Sequence, residues 1–219
     1  MDLWMLWLDT LRNALDFLST DLGLGTGVAV IGLTLLIRTA LLPITWSIGY
    51  RASVRQRKLT QLRPDLERIK SVYKQSPELQ MQHTLALYRE RGLSFVDGRS
   101  LIGAIVQMPL LLGMFQALRD GAGLATRFLW VGNLARPDVL LAVIAGLTTA
   151  LMMSANPDLP EHMRTVLVVV PAVIATIAAF QFASVLALYW ATTNCFSAAQ
   201  TTGLRFVIAR RIRMGTLRI

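Results

Sequence analysis

Apolar positions in this chain gather into five long runs, about Val28 to Ile48, Leu101 to Leu118, Val139 to Ser154, Thr165 to Phe180 and Phe182 to Gly203. At about 1.5 Å of rise per residue, roughly 20 mostly apolar residues cross a hydrocarbon core near 30 Å thick. Each run therefore reads as a transmembrane helix: 28–48, 101–118, 139–154, 165–180 and 182–203. The shorter runs imply a thinned bilayer or helices that end among the headgroups. The last two adjoin at Gln181 and are too long together for one span, which predicts a tight hairpin.

Elsewhere the period changes. In residues 1–20, Leu3, Leu6, Trp7, Leu11, Leu15 and Leu18 recur at three- and four-residue steps with acids mostly between them. That pattern predicts an amphipathic helix lying at a membrane interface. The opening lacks a basic stretch and a small-residue cleavage pattern, so it reads as retained. Residues 51–100 carry two narrower stripes, Leu59, Leu62, Leu66, Ile69 and Tyr73, then Leu79, Met81, Leu85 and Tyr88, with Ser76-Pro77 between them. Two helices facing each other in an antiparallel hairpin are expected. The fold class is thus all-α: a polytopic membrane protein with five transmembrane helices, an N-terminal interfacial helix and a cytoplasmic helical hairpin.

Composition strengthens the membrane reading. Of 219 residues, 54% are hydrophobic and 16% charged, against about 25% charged in a typical soluble domain. The mean hydropathy is +0.51. The net charge of +9 is strongly partitioned: residues 51–100 hold 11 Lys/Arg against 5 acids, and the tail 204–219 holds five arginines and no acid. Residues 1–27, by contrast, hold four aspartates and one arginine. Cytoplasmic segments of membrane proteins carry the excess of Lys and Arg, so the N-terminus is expected outside and the hairpin and tail in the cytoplasm. Arg119, Arg127 and Arg136 in the next outer connection run against that trend. The basic faces suit water, anionic headgroups or ribosomal RNA, and without interleaved aromatics no specific nucleic-acid recognition is expected.

One charge stands out. Arg38 lies ten residues from either end of the first span, where an arginine costs about 2.5–3.5 kcal/mol on insertion scales. All 13 acids fall before residue 22, in the hairpin segment, or near the ends of apolar runs. What lies at its depth is neutral and polar. Thr34 and Thr45 share its helical face, Gln107 lies in the second span, Thr148 and Thr149 lie in the third, and Thr193, Ser197 and Gln200 follow one face of the fifth. Such a cation is solvated either by water in an intramembrane groove or, alternatively, by backbone carbonyls.

Nothing else competes as chemistry. Cys195 is the sole cysteine, His83 and His162 have no nucleophile or second ligand in helical reach, and no phosphate loop or HExxH pattern occurs. No enzyme, metal or cofactor is expected. A small transporter or channel for an anionic solute remains as an alternative, although no inverted repeat supports it. A membrane assembly scaffold is another.

Several ordered stretches, "LTLLIRTALLPIT", "LRPDLERIKSVY", "LALYRERG", "QMPLLLGMFQAL", "FLWVGNLARPDVLL" and "LALYWATTNCFSAAQ", together resemble the YidC/Oxa-type membrane protein insertase family over about residues 14–205. The resemblance implies a five-span core around a positively charged groove open to cytoplasm and lipid, in a bacterial plasma membrane, that inserts and helps fold nascent membrane proteins. It also implies that Arg38 and Thr34 line the groove, that Tyr189 and Trp190 form the aromatic pair of the last span, and that Gln107 and Pro109 carry the second-span motif. The partners implied are nascent membrane proteins and the lipid bilayer, with the Sec translocon, the signal recognition particle receptor and the ribosome as further candidates. The chain resembles the short form without a large outer domain. It departs from the usual family pattern at "SFVDGRSLIGAIVQMP" and "FQFASVLALYW", which marks a divergent member.

Overall fold

A proline divides the first apolar run into two helices, whereas the other four runs each correspond to one helix of equal or greater length. The computed structural model describes residues 2–93, 98–119, 125–156, 159 and 161–216, with only the backbone course for 98–107 and 161. Among them the longer elements are α1 (Leu3–Asp16), α2 (Thr26–Ala40), α3 (Leu42–Gln61), α4 (Arg63–Val72), α5 (Pro77–Glu90), α6 (Gly98–Arg119), α7 (Val139–Ser154), α8 (Arg164–Ala179) and α9 (Ser184–Arg213). The β structure described is one isolated bridge, Phe128 with Val131. The architecture is all-helical.

The first apolar run is not one straight helix. α2 and α3 meet at a bend of 63°, and only together do they pass the length and hydropathy of a membrane span. Among the described residues no single helix is long and apolar enough to cross a membrane. Pro43, in the first turn of α3, explains the break. It has no N–H to donate and its ring crowds the carbonyl four residues back.

α1 is amphipathic, but its buried face differs from the expected stripe. Leu8, Leu11 and Leu15 are buried whereas Leu3 and Leu6 are exposed. The helix docks on α6: the Trp7 indole donates to the Pro109 carbonyl at 3.1 Å and the Trp4 indole to Gln116 Oε1 at 3.1 Å. Gly113 permits this approach, since a Cβ there would lie 2.4 Å from Trp7 Nε1. Two indole donors satisfied on a neighbouring helix rotate α1 toward that helix, which hydrophobic spacing alone could not indicate.

α4 and α5 form the hairpin, with the Tyr73 and His83 rings stacked at 4.3 Å and Arg91 4.0 Å from Asp65. Neither helix buries a side chain, and Leu79 and Met81 of the expected stripe are exposed. The basic tail is not a separate segment through residue 213, because α9 continues unbroken over Ser184–Arg213.

Packing is uneven along the bundle. The main apolar core joins Leu11 and Leu15 of α1, Val30 and Leu33 of α2, Met114 and Leu118 of α6, Leu141 and Ala145 of α7, and Val185 to Tyr189 at the start of α9. The connection before α7 seals the same end. Val131 and Leu134 are buried in that core, while the carbonyls of Arg136 and Leu134 accept from the amides of Ser184 (3.0 Å) and Val185 (3.1 Å). These bonds satisfy orphan donors at the start of α9 that would otherwise need a capping side chain. Toward the other end, the buried apolar residues of α9 thin out to Ala191, Ala198, Leu204 and Ile208.

α7 packs closely on α8 because Gly146 has no side chain. A Cβ there would lie 1.9 Å from Thr176 Oγ1 and 2.9 Å from the Ala172 carbonyl.

Candidate functional site: a buried polar seam between α2 and α9

The break at Pro43 has an electrostatic consequence. It places Arg38 in the last turn of α2, where the helix's terminal carbonyls carry partial negative charge. A cation in that position gains about 0.3–1 kcal/mol, and up to about 2 kcal/mol where partly buried. Helix geometry thereby offsets part of the cost of burying the guanidinium, whose residue is only 7% exposed.

Arg38 faces α9. Its charge reaches the phenol of Tyr189, itself 3% exposed. One turn further along α9 lies Thr193, near enough to interact with the same phenol. Yet neither Tyr189 Oη nor Thr193 Oγ1, both buried, has a hydrogen-bond partner of proper geometry. Buried hydroxyls nearly always find a protein or water partner, so this pair is the polar feature of the floor that packing leaves least satisfied. Thr34, on the Arg38 face of α2, is fully buried and donates back to the Val30 carbonyl at 2.6 Å.

The seam continues away from the sealed end. Ser197 and Gln200 follow Tyr189 and Thr193 on one face of α9 and are half-buried. Gln200 Nε2 donates to Thr45 Oγ1 of α3 at 3.2 Å, and Thr45 donates to the Leu41 carbonyl. From Tyr189 to Gln200 is about 16 Å of helix. The floor is a charged and hydroxylated group on dense apolar packing, and the upper part is polar, more open and leads toward the basic ends of α3 and α9.

Not every expected residue joins this seam. Thr149 lies on the other side of α9, where it accepts from Asn194 Nδ2 at 2.8 Å and donates to the Ala145 carbonyl at 2.8 Å. Both residues are buried, so this is a satisfied clamp between α7 and α9. Trp190 is 38% exposed and projects from α9 next to the seam rather than into it. The side chain of Gln107 lies outside the described residues.

Three participants carry little signal in the sequence. Asn194 sat among other polar residues of its span without a visible partner, and the Arg136 carbonyl is a backbone group with no sequence signature. Pro43 was visible inside the first apolar run, and its place five residues after Arg38 was the available signal for a helix end there.

The family described as 60Kd inner membrane protein matches residues 17–211. Among curated proteins, the "Membrane protein insertase YidC" of Oceanobacillus iheyensis is 30% identical over 192 residues, covering 81% of this chain and 73% of that protein. "Membrane protein insertase YidC 2" of Listeria monocytogenes is 29% identical over 196 residues, 84% of this chain and 70% of that protein. "Membrane protein insertase YidC" of Aquifex aeolicus is 28% identical over 186 residues, and the match spans 84% of this chain but only 36% of that longer protein.

Proposed function

The chain belongs to the 60Kd inner membrane protein family, that of the YidC insertases, and from that premise we propose that it inserts nascent membrane proteins through the polar seam between α2 and α9. The observation that carries the reading is the group at the floor of the seam: a buried guanidinium, Arg38, within reach of the buried Tyr189 phenol, and the Thr193 hydroxyl next to that phenol without a well-aligned hydrogen bond. In this proposal a water or a translocating polar group completes the hydrogen bonding there.

The mechanism follows from free energies of transfer. A polar outer segment crossing bare hydrocarbon meets the full penalty for its charges and peptide groups. A seam that is polar from Gln200 down to Arg38 shortens that path, and the fixed positive charge at its floor attracts acids of the incoming tail. The sealed end, closed by α1 and residues 125–138, keeps the passage from becoming a pore. The hydrophobic segment then leaves the seam sideways past Trp190 into lipid, driven by its own burial in hydrocarbon.

In this proposal five spans, residues 28–48, 101–118, 139–154, 165–180 and 182–203, cross a bacterial plasma membrane, with the N-terminus outside and the basic hairpin and tail in the cytoplasm. That face is where the Sec translocon, the signal recognition particle receptor and the ribosome would meet it.

Photocrosslinkers at Ser197, Gln200 and Trp190, with Val173 on the exposed face of α8 as control, test the reading during synthesis of a single-span substrate. Capture of the nascent chain at the first three and not at Val173 is expected. Anion flux in liposomes with no nascent-chain capture would overturn it in favour of a transporter.

A further inference from the structure

Two basic runs far apart in sequence meet in the fold. The segment Arg51 to Lys58 of α3 holds four basic residues and the end of α9 holds Arg210, Arg211 and Arg213, with Arg205 engaged instead by the Ala155 carbonyl at 3.3 Å, while neither helix contains an acid. The helices are locked side by side. The Trp46 ring lies against Gly203, and Leu204 lies against Gly49, where a Cβ would come within 2.9 Å. Beyond them, Arg211 donates to the Tyr50 hydroxyl at 3.1 Å, with its guanidinium 5.2 Å from the ring centroid. Tyr50 thus holds one cation of the cluster in place, and like charges gathered this way attract an anion.

Depth and neighbours indicate which anion. α9 has 30 residues, about 45 Å of helix, and its first 20 or so fill a hydrocarbon core near 30 Å. Everything from Leu204 onward then falls at headgroup level. Phe206, Ile212 and Met214 are exposed there among the arginines, and apolar side chains interleaved with cations suit a lipid interface rather than open water. Tyr50 is already covered by Arg211, which leaves Phe206 as the exposed aromatic of this region, set among aliphatic side chains in the manner of a lipid-facing anchor.

We propose that the α3–α9 seam binds the phosphate headgroups of anionic phospholipid, bridging the two helices at the cytoplasmic membrane surface. The proposal rests on the membrane-embedded reading above. It adds a lipid partner that ties α3, and hence the bend at Pro43, to α9.

The test uses the purified full chain in nanodiscs of phosphatidylcholine with increasing phosphatidylglycerol, scoring lipid retained after extraction by native mass spectrometry. Replacing Arg51, Arg210 and Arg213 by Gln should lower phosphatidylglycerol retention by about fivefold per charge, leaving phosphatidylcholine retention unchanged. The matched hairpin variant, Arg68, Lys74 and Arg89 to Gln, should change it less than twofold. Helicity and melting temperature check that both variants fold, and Tyr50→Leu, which frees Arg211 without removing charge, should give an intermediate loss. Equal losses from seam and hairpin variants would overturn the site, as would a short RNA that displaces the lipid. Incorporation into nanodiscs with no preference for phosphatidylglycerol sinks the lipid site alone, whereas failure to enter nanodiscs of either lipid sinks the membrane reading as well.

Discussion

Thr149 is bonded across to Asn194 between α7 and α9, and this clamp makes a quantitative prediction. The hydroxyl of Thr149 both donates to Ala145 and accepts from Asn194, each at 2.8 Å. Thr149→Val keeps shape and volume but strands the Asn194 amide, with Asn194 only 4% exposed; leaving a buried donor unmet costs about 1–3 kcal/mol. Asn194→Ala removes that amide outright, and Thr149 still donates to Ala145, so the loss should be near the net worth of one hydrogen bond, about 0.5–1.5 kcal/mol, plus whatever cavity remains. In the double variant no donor is stranded. The coupling energy should therefore fall within about 0.6–1.7 kcal/mol, the range from average to maximum for interhelical hydrogen bonds in membrane proteins. Reversible unfolding in mixed micelles, followed by circular dichroism on the four proteins of the cycle, measures it. Insertion activity per folded molecule should be unchanged in all four. Additive losses with no coupling would refute the clamp, and a specific loss of insertion in Thr149→Val at full stability would return Thr149 to the substrate path.

Three other outcomes are expected. Gly146→Ala should destabilise the chain by about 1–3 kcal/mol through overpacking, and adding Thr176→Ala should recover only part of it, because the Ala172 carbonyl stays 2.9 Å from the new Cβ; melting temperatures in one detergent decide this. Pro43→Ala should restore an N–H at the break and straighten α2 onto α3, seen as a longer spin-label distance between Thr45 and Gln200, which the structure joins at 3.2 Å; an unchanged distance would mean that packing on α9, not proline, sets the bend. Arg38→Ala should slow insertion of substrates with acidic outer tails while sparing those with neutral tails, and equal loss for both classes would contradict the electrostatic role given to the arginine.

Much of this was legible in the residues alone. Runs of apolar residues announced helices, and the charge partition announced which segments belong together, because both depend on composition along a local stretch. Arg38 was conspicuous for the same reason: a cation among leucines needs no partner to be noticed. Boundaries were less legible. The first apolar run looked continuous because hydropathy does not register the missing N–H of Pro43, and the tail looked separate because its charge changes while its helix does not. Tyr189 and Trp190 are neighbours in sequence, yet one is 3% and the other 38% exposed, since adjacent helical residues point about 100° apart.

By itself, then, the sequence determined the helical class, the family and the presence of a lone cation within an apolar run, all of which follow from local pattern and from motifs in order. Only the tertiary structure decided which polar residues share a seam. It set Tyr189 within reach of Arg38, turned Thr149 toward Asn194, and brought Arg211 onto Tyr50 across 161 positions of chain. The physical reason is that a side chain's partner depends on helix rotation and on which helices touch. Both are settled by packing at sites such as Gly49, Gly113 and Gly146, where the absence of one carbon lets a particular neighbour in.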